Sequence, residues 1–260
     1  MTDRRTPAGN IGLAIWRLKC FYETFVQGST AVILLNFCAK NPPHRQASDV
    51  TCNAVTNLNI HTDMEFQHDK SWETFTKILY SKVPVRHAWT NFIEYHEENF
   101  PKPYWTSLKD IDIEEEQTNI INWLTSVLTK TPIPEKVIAI WIGLLKLAGD
   151  NESEIPTIYF GGADSYDKDD SDWACDLAYL PDNRYAQPGL LQDIDAIART
   201  DEDDYEFLDW ILPLAYCAFT FDEIVRAKLD KSLFLKHKDK IFIAVGHDSG
   251  DYIDLTTIAN

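Results

Sequence analysis

The stretch DSYDKDDSDWACD, residues 164 to 176, sets six aspartates around one tryptophan and one cysteine, with Lys168 as the only balancing charge. Oxygen ligands at that density could hold a divalent cation, work as a paired acid and base, or meet a basic protein partner. Aspartate also accepts backbone N–H groups in tight turns, so the same residues could shape a loop while Trp173 and Cys175 turn inward. An EF-hand register from Asp167 would use Asp167, Asp169 and Ser171, but it needs glycine at 172 and glutamate at 178. Asp172 and Ala178 stand there. Registers from Asp164 or Asp170 fit no better, so a calcium loop of that type is excluded and no metal is expected.

Other chemical patterns are thinner. GHDSG, residues 246 to 250, resembles a nucleophile elbow, but G-x-S-x-G requires serine where Asp248 stands, and a hairpin turn explains it. HTDMEFQHD brings His61, Asp63, His68 and Asp69 together without HExxH or a helical histidine pair, and reads as solvated loop. Phosphate-cradling glycine patterns are absent from the whole sequence, which counts against a nucleotide, and no cofactor is expected. The five cysteines (Cys20, Cys38, Cys52, Cys175 and Cys217) form no CxxC and are expected to be reduced, buried thiols.

The chain of 260 residues carries a formal charge of −17, which disfavours nucleic acid and anionic membranes and favours a basic partner. The excess acid is concentrated between Asp150 and Asp209, where 18 acids meet three bases. Trp173, Tyr179, Leu180, Leu190 and Ile194 interleave those acids, so an ordered acidic surface is expected rather than a floppy tail. DEDD at 201 to 204 adds Asp201, Glu202, Asp203 and Asp204 at the start of an expected helix, where carboxylates also suit the helix dipole. No apolar run is long enough to cross a bilayer or to act as a signal peptide, and a cytoplasmic protein is expected.

The elements that would carry these residues fall into two regions. In residues 1–105, helical spacing appears at Ile11 to Tyr22, in WETFTKILY and in HAWTNFIEYHEEN, with a polar loop from Asn41 to Asp63. The prolines of FPKPYW mark a boundary near residue 105. Residues 106–260 open with a helix over Asp112 to Lys130, capped by acids. KVIAIWIGLLKL and IPTIYFGG then read as an antiparallel hairpin, and IFIAVGHDSGDYIDL as two further strands around a tight turn. Between them, DDYEFLDWILPLAYCAFTFDEIVRAKL reads as a helix that Pro213 must kink or divide. The expected fold class is therefore α+β, with an antiparallel sheet packed with helices in the C-terminal region and a mainly helical N-terminal region.

The order VIAIWIGLLKL, IYFGGADSYDKDDSDWACD, AYLP and IFIAVGHDSGDYIDL, across 137 to 254, resembles an uncharacterised family of bacterial cytoplasmic proteins. Small acidic proteins of that kind resemble immunity proteins of bacterial toxin systems. The resemblance implies a protein that neutralises a basic toxin by binding it, and it carries no catalytic residues. The expected partner-binding residues are Asp164, Tyr166, Asp167, Asp169, Asp170, Asp172, Trp173, Asp176, Asp201, Glu202, Asp203 and Asp204. Trp173 could equally belong to the core. The alternative is a hydrolase using paired carboxylates such as Asp167 and Asp172, with or without a divalent ion.

Overall fold

The computed structural model describes residues 66–149, 153–248 and 250–260. The helix expected at Ile11 to Tyr22 and the loop expected at Asn41 to Asp63 lie outside them. Four helices come first: α1 (His68–Tyr80), α2 (Val85–Asn99), α3 (Tyr104–Asp110) and α4 (Gln117–Lys130). The hairpin of β1 (Ala139–Ala148) and β2 (Glu154–Ala163) follows, then a 3-10 turn (Ser171–Cys175), β3 (Tyr185–Ala186), α5 (Gly189–Ala198) and α6 (Tyr205–Glu223). A π-helical turn (Ile224–Lys228), α7 (Ser232–Leu235), β4 (Lys240–His247), β5 (Tyr252–Asp254) and β6 (Ile258–Ala259) complete the order.

The sheet runs β3-β2-β1-β4-β5, with β6 also on β4. The fold is α+β as expected, and the β1–β2 hairpin pairs antiparallel over its whole length, from Ala139 opposite Ala163 to Ala148 opposite Glu154. The sheet is nevertheless mixed: β1 and β4 are parallel, Ala139 opposite Phe242 and Leu144 opposite His247. A parallel neighbour needs a long crossover, and α5, α6 and α7 supply it.

Period-2 alternation gives the sheet two different faces. Ile140, Ile142 and Leu144 of β1, Ile158 and Phe160 of β2, and Ile241, Ile243 and Val245 of β4 join one buried cluster with residues from all seven α-helices. Ala139, Trp141, Tyr159, Ala163 and Ala244 face the other way and are covered by Trp173 and Ala174.

At FPKPYW, where a boundary is expected, Pro103 precedes α3, and Trp105 is fully buried with its indole N–H donating to the Phe100 carbonyl at 2.7 Å. Residues on both sides of position 105 share the helix-side core. Two other expectations change. The helix expected from Asp112 starts instead at Gln117, and Glu116 at its N-cap makes no side-chain cap bond there; its carboxylate accepts from the Leu190 N–H at 2.9 Å. Finally, Pro213 does not divide α6, which continues through it from Tyr205 to Glu223. The tertiary setting outweighs the missing N–H, because α6 buries 14 residues, Pro213 among them, in the core.

Candidate functional site

The aspartate loop closes over the sheet face opposite the helices. Asp167 Oδ1 accepts from the Asp169 N–H at 2.9 Å, and Asp170 Oδ1 accepts from the Asp172 N–H at 3.0 Å, capping the 3-10 turn. Two of the six aspartates therefore build the loop. Trp173 is 6% exposed and meets Trp141 edge-on at 5.9 Å, so it anchors the loop and is closed to a partner. Tyr166 stacks on Phe242 at 4.0 Å and donates to Asp254 Oδ2 at 2.8 Å. Asp164, Asp167, Asp169, Asp170, Asp172 and Asp176 all remain exposed. Among the described residues, two lysines pair with them: Lys136, 3.9 Å from Asp164, and Lys168, 3.3 Å from Asp169.

The second acidic group lies on the other side of the sheet, in the helical layer between α5 and α6. Lys102 sits between Asp201 at 3.1 Å and Asp204 at 2.7 Å, and the Tyr104 hydroxyl donates to Asp204 Oδ2 at 2.9 Å. Burial acts to raise the Asp201 carboxyl, but the bond and charge of Lys102 together with the backbone N–H groups of Asp203 and Asp204 outweigh it and hold the group below its usual range. Glu202 and Asp203 are exposed. The expected site residues thus form two separate groups, one on each side of the sheet.

A third location, which the sequence reading passed over, is a pocket of about 770 Å³ where β1 and β4 end side by side. Leu144 to Leu147 form one wall; Glu206, Asp209, Trp210 and Pro213 of α6 form another. The turn from His247 to Asp251 borders it. That turn is the expected hairpin connection, with the His247 N–H donating to the Asp251 carbonyl at 2.8 Å, yet its side chains are also the pocket's most unusual groups.

His247 Nε2 lies 2.8 Å from the Trp210 carbonyl, which can only accept, so the proton sits on Nε2. Burial lowers its pKa and keeps the ring neutral. Asp248 accepts from the Tyr159 hydroxyl at 2.8 Å, and Tyr159 in turn accepts from the Trp141 indole at 3.0 Å. Burial pushes the Asp248 carboxyl up to about 6, with these two donors offsetting part of the rise. Lys146 binds Asp195 at 2.8 Å, Asp209 at 2.7 Å and the Tyr205 hydroxyl at 2.6 Å. Burial opposes its charge, but these partners prevail and raise its pKa. Asp195 is shared further with Arg199 at 2.7 Å. Trp210 donates to Asp251 Oδ2 at 2.9 Å.

His68, expected in a solvated loop, opens α1 and lies 5.1 Å from the Trp210 ring; His61 and Asp63 lie outside the described residues. Among the described residues, no group of three or more His, Cys, Asp or Glu could hold a metal ion, and no helix is long and apolar enough to cross a membrane. Of the thiols expected to be reduced, Cys217 is free and fully buried, and Cys175 is half-buried. Cys20, Cys38 and Cys52 lie outside the described residues. Comparison of the chain with protein-family models, with curated proteins and with solved structures gave no match.

Proposed function

We propose that the protein binds a basic protein partner through its aspartate loop, acting as an immunity protein that neutralises a basic toxin domain. One observation carries this reading: six exposed carboxylates stand on a loop anchored to the sheet by Trp173 and Tyr166, and among the described residues only Lys136 and Lys168 form ion pairs with them. Fixed, uncompensated charge of one sign steers an oppositely charged partner and disfavours wrong ones. The group at 201 to 204 is weaker support, because Lys102 already neutralises much of it.

A hydrolase working through Asp167 and Asp172 has less in its favour. Both side chains are exposed, and Asp167 already holds the Asp169 N–H. Catalytic carboxylate pairs need a water-excluding cleft to separate their proton affinities.

An immunity protein of this kind would work in the cytosol.

The test replaces Asp164, Asp169, Asp172 and Asp176 with asparagine, because none of their carboxylates holds a hydrogen bond within the loop. Calorimetry against a basic toxin domain encoded by the adjacent gene should show complex formation with the native chain. The variant, folded by circular dichroism, should bind at least about tenfold more weakly. Equal affinity, or an adjacent gene that encodes no basic domain, contradicts the reading.

A further inference from the structure

We propose that the pocket at the carboxyl ends of β1 and β4 binds a small organic cation, an amine or guanidinium carried on an apolar or aromatic body. This inference does not rest on the docking reading, since no residue of the aspartate loop, 164 to 176, lines the pocket.

The size comes first: about 770 Å³ is in the range of sites that enclose a drug-sized molecule. The walls then set the body of the ligand. Leu144, Leu145, Leu147, Pro156, Leu191 and Pro213 are apolar, and rims of Trp210 and Tyr185 offer aromatic faces suited to a cation or a ring.

Charge sets the head group. Lys146 is the one lysine or arginine among the lining residues, and it is already held between Asp195 and Asp209. An incoming anion would have to displace a carboxylate from it. Glu206, Asp248 and Asp251 also line the pocket, and none of them makes an ion pair among the described residues. His247 is neutral and adds no positive charge. The field inside is therefore negative, in a cleft whose low-dielectric walls strengthen it. Trp210 keeps Asp251 in place through its 2.9 Å bond, so part of the acceptor set is preorganised.

A free amine and an arginine side chain of a protein share this chemistry, and the choice of probe separates them. Calorimetry on the full chain at pH 7.5 would use tryptamine, Nα-acetylarginine amide, neutral indole-3-ethanol and anionic indole-3-acetate. At least one cation should bind, at least about tenfold tighter than the neutral and anionic indoles. Tighter binding of tryptamine points to a free aromatic amine, and tighter binding of Nα-acetylarginine amide to a side chain.

Glu206→Gln and Asp251→Asn keep shape and, at 251, the acceptor for Trp210. Together they should weaken the bound cation by about tenfold, a modest effect for two charges near a protein surface. Glu206→Gln alone, at an exposed position in the first turn of α6, should give a smaller loss in the same direction, with thermal melting as the folding control. If neither cation binds, if indole-3-acetate binds as well as the cations, or if the folded variants bind a cation as tightly as the native chain, the proposal fails.

Discussion

Asp248 shows how one residue can belong to a turn by its backbone and to a pocket by its side chain. Its carboxyl is held up at about 6 by burial, above the ordinary value near 4 of an unfolded chain. For an acid with that sign of shift, the native state binds the extra proton. The cost of ionising it is therefore absent below about pH 4, grows between about 4 and 6, and is full above 6. Asp248→Asn removes that cost and keeps a carbonyl for the Tyr159 hydroxyl. Urea unfolding should show the variant more stable by about 3 kcal/mol at pH 7.5 and no more stable at pH 4; an equal difference at both values would mean that the carboxyl does not titrate as the burial implies. Residue by residue, the sequence was uneven as a guide. The turn-forming use of aspartate was legible in the loop, because Asx turns follow from local chemistry. The pocket was not, because Lys146, Asp195, Asp209 and His247 are far apart in sequence and meet only through the crossover. A single lysine in the apolar run WIGLLKLA was the available signal, since a half-buried cation in a strand needs a carboxylate partner from elsewhere.

At the scale of elements, a row across the sheet explains how the aromatic residues behind the pocket fit. Tyr159, Gly143, Gly246 and Tyr252 stand opposite one another on β2, β1, β4 and β5. A Cβ on Gly143 would lie 2.0 Å from the Tyr159 ring, and one on Gly246 would lie 2.5 Å from the Trp141 ring. The two glycines leave a trough in which Trp141 and Tyr159 lie flat enough to reach each other and Asp248. Gly143→Ala should therefore cost about 1–3 kcal/mol in urea unfolding, as overfilling a tight site does, and should disturb the Tyr159–Asp248 bond. A stability unchanged from the native chain would show that the rings can move aside freely. Strands and their hairpins were legible because β-branched runs and turn residues repeat at short range. The parallel β1–β4 pair was not, because the order of strands in a sheet is a long-range property. The continuity of α6 through Pro213 was hidden for a related reason: burial on nearly every side of that helix exceeds the local preference to break it.

At the scale of the whole molecule, the helices before residue 105 and the sheet after it share one core. Trp89, Phe92 and Trp105 are fully buried in the same cluster as Ile140, Phe160 and Ile243. A fragment of residues 106–260 would expose that surface, so it should be unfolded by circular dichroism when expressed alone; a folded, cooperative fragment would restore the boundary expected from FPKPYW. The charge imbalance was legible from composition, but its division between the two sides of the sheet was not, since only the fold decides which acids face which way. That division gives the most direct measurement of the docking claim. Stopped-flow association of the native chain with the basic domain of the neighbouring gene should slow steeply as salt rises from low to physiological strength. Replacing Asp164, Asp169, Asp172 and Asp176 with asparagine should slow association at low salt by about tenfold and flatten that salt dependence. Replacing Glu202 with glutamine and Asp203 with asparagine, on the opposite side, should leave both nearly unchanged. Loop variants that remain folded and associate at the native rate, with the native salt dependence, would contradict the claim that the aspartate loop is the docking surface.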